Sequence, residues 1–330
     1  MRKIWVLIFV CLLLNSCQQK KNIAFYFWES NFQISDFEQH YLDSLAVQQL
    51  YVRFFDVDIK NGKAVPVGTI QIHEKNKYQQ IIPVVFITNE TFKVLPQKEV
   101  TQLASNIQRK ISFLYPNISD KTLQEIQIDC DWTESTKEKY FHFLNELKQQ
   151  NKTLQISATI RLHQIRDRIQ TGIPPIDKGV LMYYATSNPL DFKDKNSILD
   201  NAVAQNYIKN IDSYPLKLDV ALPIYSWAIV ENQVGEKRLI NNIRNEDLID
   251  TSLYQKLKPN FYVVKKAHYL KGNYIYEDFT IKTESISAQD LKIAQENIAK
   301  KLKNKWEKIL YFQLDSSNLV HYSVQQLKTN

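Results

Sequence analysis

The sequence predicts an α/β fold: a (β/α)8 TIM barrel with a hairpin-rich insertion between strands 7 and 8. Three observations lead there. Short apolar segments rich in β-branched and aromatic residues recur eight times along the 330 residues. Helix-like segments lie between several of them. No glycine-rich phosphate loop, the mark of a doubly wound open sheet, occurs anywhere.

Taken in order, the predicted strands are IAFYFW (23–28), LYVRFFDVD (50–58), IIPVVFIT (81–88), EIQIDCDW (125–132), TLQISATIRL (153–162), GVLMYYAT (179–186), LKLDVALPIYSW (216–227) and KILYFQLD (308–315). Their near-continuous apolar character fits parallel strands covered by helices. Helical patterns follow the first strand (SDFEQHYLDSLAVQQL), the third (QKEVTQLASNIQRKISFLY) and the fourth (STKEKYFHFLNELKQQ). A fourth pattern, SAQDLKIAQENIAKKLKNKW, precedes the last strand, and its Ser287-x-x-Asp290 has the form of a capping box. The interval 228–285 is too long for a simple connection. Its pieces FYVVKKAHYL and YIYEDFTIKT, joined around Gly272-Asn273, read as an inserted hairpin module. No repeat, low-complexity tract or Pro/Gly linker marks a second domain, so 23–330 reads as one barrel carrying that insertion.

The first residues form a separate unit. Arg2 and Lys3 precede an apolar run, Ile4 to Leu14, of secretory length and too short to span a bilayer. The run ends in LLNSC, which resembles a bacterial lipobox. The resemblance implies a signal peptide over 1–16, lipidation of Cys17 and a lipidated tether over 17–22. Several acyl chains on one cysteine give stable anchoring. Gln18 does not suggest retention in the inner membrane, so the outer membrane is the expected location. Besides Cys11 and Cys17 the chain has only Cys130, which leaves no partner for an internal disulfide.

The formal net charge is +7, with lysines scattered among acids and no arginine-rich block, which argues against nucleic acid as a partner. No His/Cys cluster at ligand spacing points to a metal, no G-x-S-x-G points to a serine nucleophile, and no cofactor is implied.

In a barrel, chemistry sits at the C-terminal ends of the strands. Strand 2 ends with Arg53, Asp56 and Asp58, strand 4 with Asp129, Asp131 and Trp132, and strand 5 with Thr159, Arg161, His163 and Gln164. Strand 6 supplies Met182, Tyr183 and Tyr184, and strand 7 supplies Asp219, Tyr225 and Trp227. Side chains alternate across a strand, so Gln127, Asp129 and Asp131 share one face while Ile128, Cys130 and Trp132 share the other. The aspartates are expected in the lumen, where like charges a pleat apart raise one pKa unless Arg161 compensates.

The stretch IDCDW, with a hydroxyl residue after it, resembles the strand 4 motif D-G-x-D-x-D-W-E of chitinase-type glycoside hydrolases (family eighteen). LMYYAT resembles that family's strand 6 M-x-Y-D, and VALPIYSWA its strand 7 G-x-P-x-Y-G. The family also carries a hairpin-rich insertion after strand 7. The resemblance implies a carboxylate acid/base site for a glycan: Asp129 and Asp131 match the motif's second and third acids, and Glu134, one residue past the donor position, joins them as a catalytic candidate. Trp28, Arg53, Asp56, Trp132, Arg161, His163, Met182, Tyr184, Tyr225 and Trp227 would then contact substrate. Departures limit the transfer. The family's first Asp falls at Ile126, its strand 6 Asp at Ala185 and its proton-donating Glu at Thr133, and a threonine is no general acid at neutral pH. Three readings follow: an envelope-anchored glycoside hydrolase-like protein using another carboxylate pair, a carbohydrate-binding lipoprotein that has lost hydrolysis, and a structural envelope lipoprotein.

Overall fold

The computed structural model describes residues 21–193, 195–303 and 306–328. The signal segment and Cys17 lie outside the described residues. Eight parallel strands close into a barrel: β1 (Asn22–Phe27), β2 (Gln49–Lys60), β3 (Gln80–Ile87), β4 (Glu125–Asp129), β5 (Gln155–Arg161), β6 (Lys178–Met182), β7 (Leu218–Pro223) and β8 (Lys308–Phe312). Each strand pairs with the next, and β1 pairs with both β2 and β8, which leaves no edge. The (β/α)8 barrel expected from the sequence is therefore the fold observed.

Alternation along each strand separates two cores. The outward side chains, such as Phe25, Leu50, Ile81, Ile128, Ile160, Leu181, Val220 and Ile309, pack under the surrounding helices and are buried. The inward ones form a smaller lumenal cluster that includes Ala24, Tyr26, Tyr51, Val84, Val180, Met182, Tyr184 and Leu310. Burial on both sides is why the strands read as continuous apolar runs.

The helices follow their apolar spacing. Helix α1 (Asp36–Ser44) opens on a capping box between Ser35 and Glu38. Helix α2 (Val100–Ile118) buries Val100, Leu103, Ala104, Ile107, Ile111 and Leu114, a three-and-four stripe against the sheet. Helix α3 (Lys137–Gln150) buries Tyr140, Phe143, Leu144 and Leu147. Helix α4 (Ala288–Leu302) carries the capping box read from the sequence: the Asp290 amide donates to Ser287 Oγ at 3.0 Å, and the Ser287 amide donates back to Asp290 Oδ2 at 3.2 Å.

Between β7 and α4 the chain builds a five-stranded antiparallel sheet, in the order 237–241, 226–231, 280–285, 261–264, 254–258, with its own apolar core. A separate hairpin pairs His268–Leu270 with Asn273–Ile275, and its turn is Lys271-Gly272, both at positive φ. A second antiparallel hairpin extends β2: Asn61-Gly62, again both at positive φ, folds Lys63–Val67 back along its far end.

Candidate functional site at the barrel mouth

Strand β4 stops at Asp129, and its last lumenal carboxylate is buried. Thr159 on neighbouring β5 donates from Oγ1 to Asp129 Oδ1 at 2.6 Å. Asp131 lies two residues further and is exposed at the rim. Arg161, the last residue of β5, grips it with both arms: Nε to Oδ1, and a terminal nitrogen to Oδ2 at 3.2 Å. Burial raises the Asp129 carboxyl above its usual range; Arg161 opposes the shift, Asp131 adds to it and the Thr159 hydroxyl opposes it. The compensation expected from Arg161 is thus present but incomplete.

A second Arg–Asp pair faces the first, and a local irregularity creates it. Residues three apart on a regular strand point to opposite sides. The β2–β3 register shifts between Arg53 and Phe55, so Phe54 is an extra residue. That insertion puts Arg53 and Asp56 on one side. Arg53 Nε donates to Asp56 Oδ1 at 2.7 Å and its second arm reaches Oδ2. Gly68, at φ +55°, passes against this guanidinium: a Cβ there would lie 2.9 Å from it.

These groups line a cleft of about 290 Å³ together with Trp28, Phe86, Met182, Tyr184 and Phe312. An aromatic chain runs along one side of the mouth. Trp28 lies 5.5 Å from Phe312, Phe312 5.8 Å from Tyr184, Tyr184 6.1 Å from Tyr225 and Tyr225 5.3 Å from Trp227, centroid to centroid. Trp227 already belongs to the inserted sheet, and its indole N–H donates to buried Glu284 at 2.8 Å.

Of the residues expected at the site, Trp28, Arg53, Asp56, Asp129, Asp131, Arg161, Met182 and Tyr184 line the cleft, and Tyr225 and Trp227 extend its aromatic side. Four are placed elsewhere. Trp132 is fully buried on the outward face, stacked 5.1 Å from Tyr140 of α3, with its indole N–H donating to the Thr171 carbonyl at 2.9 Å. It is a core residue and presents no surface to a ligand. Glu134 is exposed in the turn before α3 and is not among the residues lining the cleft. His163 does not continue β5; the chain turns into a short helix at Leu162, and the imidazole stands exposed above the mouth. Asp58 accepts from Thr88 Oγ1 at 2.9 Å, away from the cleft. Two more strand residues change role. Gln164 donates to the Trp132 carbonyl at 3.0 Å and accepts from the Arg161 amide at 2.8 Å, a brace under the site. Asp219 lies at the opposite end of the barrel. Phe86 and Phe312 were not anticipated; period two on β3 and β8 places both on the lumenal side. Among the described residues, no group of three or more His, Cys, Asp or Glu side chains could hold a metal ion.

No protein-family model and no curated protein matches the sequence. Solved structures do match in fold. A chitinase from Bacteroides thetaiotaomicron superposes with a TM-score of 0.55 at 13% identity, over 94% of this chain and 96% of that one. A class V chitinase from Nicotiana tobaccum gives 0.55 at 12%, over 93% and 99%, and a mutant of that enzyme is solved in complex with NAG4. The xylanase-A-amylase inhibitor protein XAIP-III gives 0.51 at 12%, over 93% and 98%. The chain therefore shares its barrel fold with these structures.

Proposed function

We propose that this protein holds a glycan at the barrel mouth without cleaving it, and is displayed in the cell envelope, outer membrane rather than inner, through lipidated Cys17. One observation carries the non-catalytic part: the carboxylates of the mouth are already committed. Asp131 is clamped by Arg161, Asp56 by Arg53, and Asp129 accepts from Thr159. The position where the chitinase-type motif has its proton donor is Thr133, whose hydroxyl lies 3.0 Å from Ser135 Oγ. Glycoside hydrolysis needs a free acid and a base or nucleophile across the sugar. What remains at the mouth is a recognition surface: an open cleft, polar groups held in fixed positions and a run of aromatic rings. The barrel of the inhibitor XAIP-III and the NAG4 complex of the tobacco chitinase are both consistent with it. An open cleft is also more than a purely structural envelope protein requires.

The test is calorimetric titration with tetra-N-acetylchitotetraose, with chromatography of the same mixture after prolonged incubation. Saturable binding with the oligosaccharide intact supports the proposal. Trp28→Ala should weaken it at least ~10-fold, since truncating a central aromatic anchor of an interface costs about 2 kcal/mol or more. Absence of binding across a panel of envelope glycans would refute it.

One observation favours hydrolysis instead: burial raises the pKa of Asp129, the direction in which a general acid is tuned. On that reading sugar is released, and Asp131→Asn or Asp129→Asn abolishes release with the fold intact. Anchoring is tested separately by labelling cells with a clickable palmitate analogue. Label that persists in Cys17→Ser would rule out that residue as the acceptor.

A further inference from the structure

The opposite end of the barrel holds a larger cavity than the mouth, about 550 Å³, opening between the N-terminal ends of the strands. Its floor is built from lumenal side chains that no glycan at the mouth would touch. Lys178 bonds Glu125 Oε2 at 3.1 Å and Asp219 Oδ2 at 3.3 Å. Lys308, on the first residue of β8, stands 3.1 Å from the Tyr51 hydroxyl, which Lys178 also reaches at 3.2 Å. It is 3.9 Å from Asp219 and bonds the neutral amide oxygen of Gln49.

The two amines are not equivalent. Lys178 sits closest to both carboxylates and takes their compensation. Lys308 gets the longer approach to Asp219 and two uncharged partners, with a second cation beside it. Burial, then the Lys178 charge, bring its pKa down to about 8, with Asp219 and Glu125 opposing. Burial works against the Lys178 charge too, but Glu125 and Asp219 outweigh it and raise its pKa. A desolvated lysine beside another cation is an activated amine. The cavity rim carries the amides of Gln48, Gln80, Gln124 and Gln155, suited to hydroxyl-bearing molecules.

We propose that this N-terminal cavity is a second site, in which Lys308 captures a small polyhydroxylated aldehyde as an imine. The neutral amine attacks the carbonyl carbon and the C–N bond forms. The carbinolamine oxygen takes up a proton, with the Lys178 ammonium as the nearby donor, and leaves as water. The amine's own protons restore that donor, so one aldehyde and one amine give one imine and one water. The site is independent of what the mouth binds.

The experiment is reductive trapping. The intact protein is treated with limiting glyceraldehyde and sodium cyanoborohydride across pH 6 to 10, and labelled lysines are mapped by peptide mass spectrometry. At pH 8 Lys308 should label at least ten times faster than Lys193 and Lys256, which are exposed and lie outside the cavity. Its rate should level off above a midpoint near 8, while theirs keep climbing with pH. Lys308→Arg should remove that adduct and leave the slower labelling of other lysines unchanged. Removing the neighbouring cation in Lys178→Met should move the Lys308 midpoint upward. The wild-type pH profile stands without either variant should they fail to fold. Lys308 labelling at or below the rate of the exposed lysines, or with their pH profile, overturns the proposal.

Discussion

Replacing Arg161 with glutamine is the sharpest test of how the mouth is held together. Two losses add. The Arg161–Asp131 pair is half open to water, with side-chain exposures of 21% and 48%, so its attraction is screened and worth about 0.5–1 kcal/mol. Asp129 is buried, and Arg161 is the only cation among the main influences on it. Leaving that charge without its compensation costs about 1–3 kcal/mol. The expected destabilisation at pH 7.5 is therefore about 1.5–4 kcal/mol, and it depends on pH. The folded-state pKa of Asp129 is raised, so its contribution to stability is full below the unfolded pKa and falls as pH rises through the folded one. Removing Arg161 pushes that pKa up further, which extends the loss to higher pH and leaves little penalty in acid. Urea unfolding at pH 7.5 and pH 5, followed by far-ultraviolet circular dichroism, reads both quantities. The cost of the variant should be clearly larger at pH 7.5. In the double variant Arg161→Gln/Asp129→Asn, most of the Asp129 share should return, a coupling expected of groups in one network. An equal cost at the two pH values, or one below ~1 kcal/mol at pH 7.5, would mean that Asp129 does not depend on Arg161.

Trp132→Phe removes the indole N–H that satisfies the Thr171 carbonyl and loosens the stack on Tyr140, so stability should fall by about 1–3 kcal/mol while glycan affinity at the mouth stays unchanged. Reduced affinity with unchanged stability would place Trp132 at the ligand after all. Gly179→Ala puts a Cβ 2.6 Å from Leu218 Cδ2 and 3.0 Å from Ile160 Cγ1, between two tightly packed strands. Overpacking there should cost about 1–3 kcal/mol in a chemical denaturation midpoint, and a stabilised variant would refute the packing described.

The barrel was legible because its determinants are local and repeated. Apolar runs of strand length, helical stripes and the Ser287-x-x-Asp290 capping box each specify their own element, and the order of elements specifies the closure. The shared face of Asp129 and Asp131 was legible for the same reason, since period two is a property of the strand itself. The same parity rule places Trp132 outward with Ile128 and Cys130, and the structure follows the parity rather than the motif. The hairpin that lengthens β2 was not among the expectations, although it turns at Asn61-Gly62.

Parity fails wherever the chain stops being a regular strand, and those places build much of the site. No glycine or proline marks the extra residue at Phe54, yet it brings Arg53 and Asp56 onto one face. Nothing in IRLHQI marks where β5 ends, so His163 extrapolates to the lumen although the chain has already turned into a helix at Leu162. Depth along the barrel axis is equally silent in sequence. Asp219 and Asp129 both read as lumenal strand acids, but strand stagger sends one to the floor with Lys178 and Lys308 and the other to the mouth with Arg161. Which carboxylate can serve which ligand is therefore decided by register between strands, a long-range quantity, and not by the spacing of acids along any one of them.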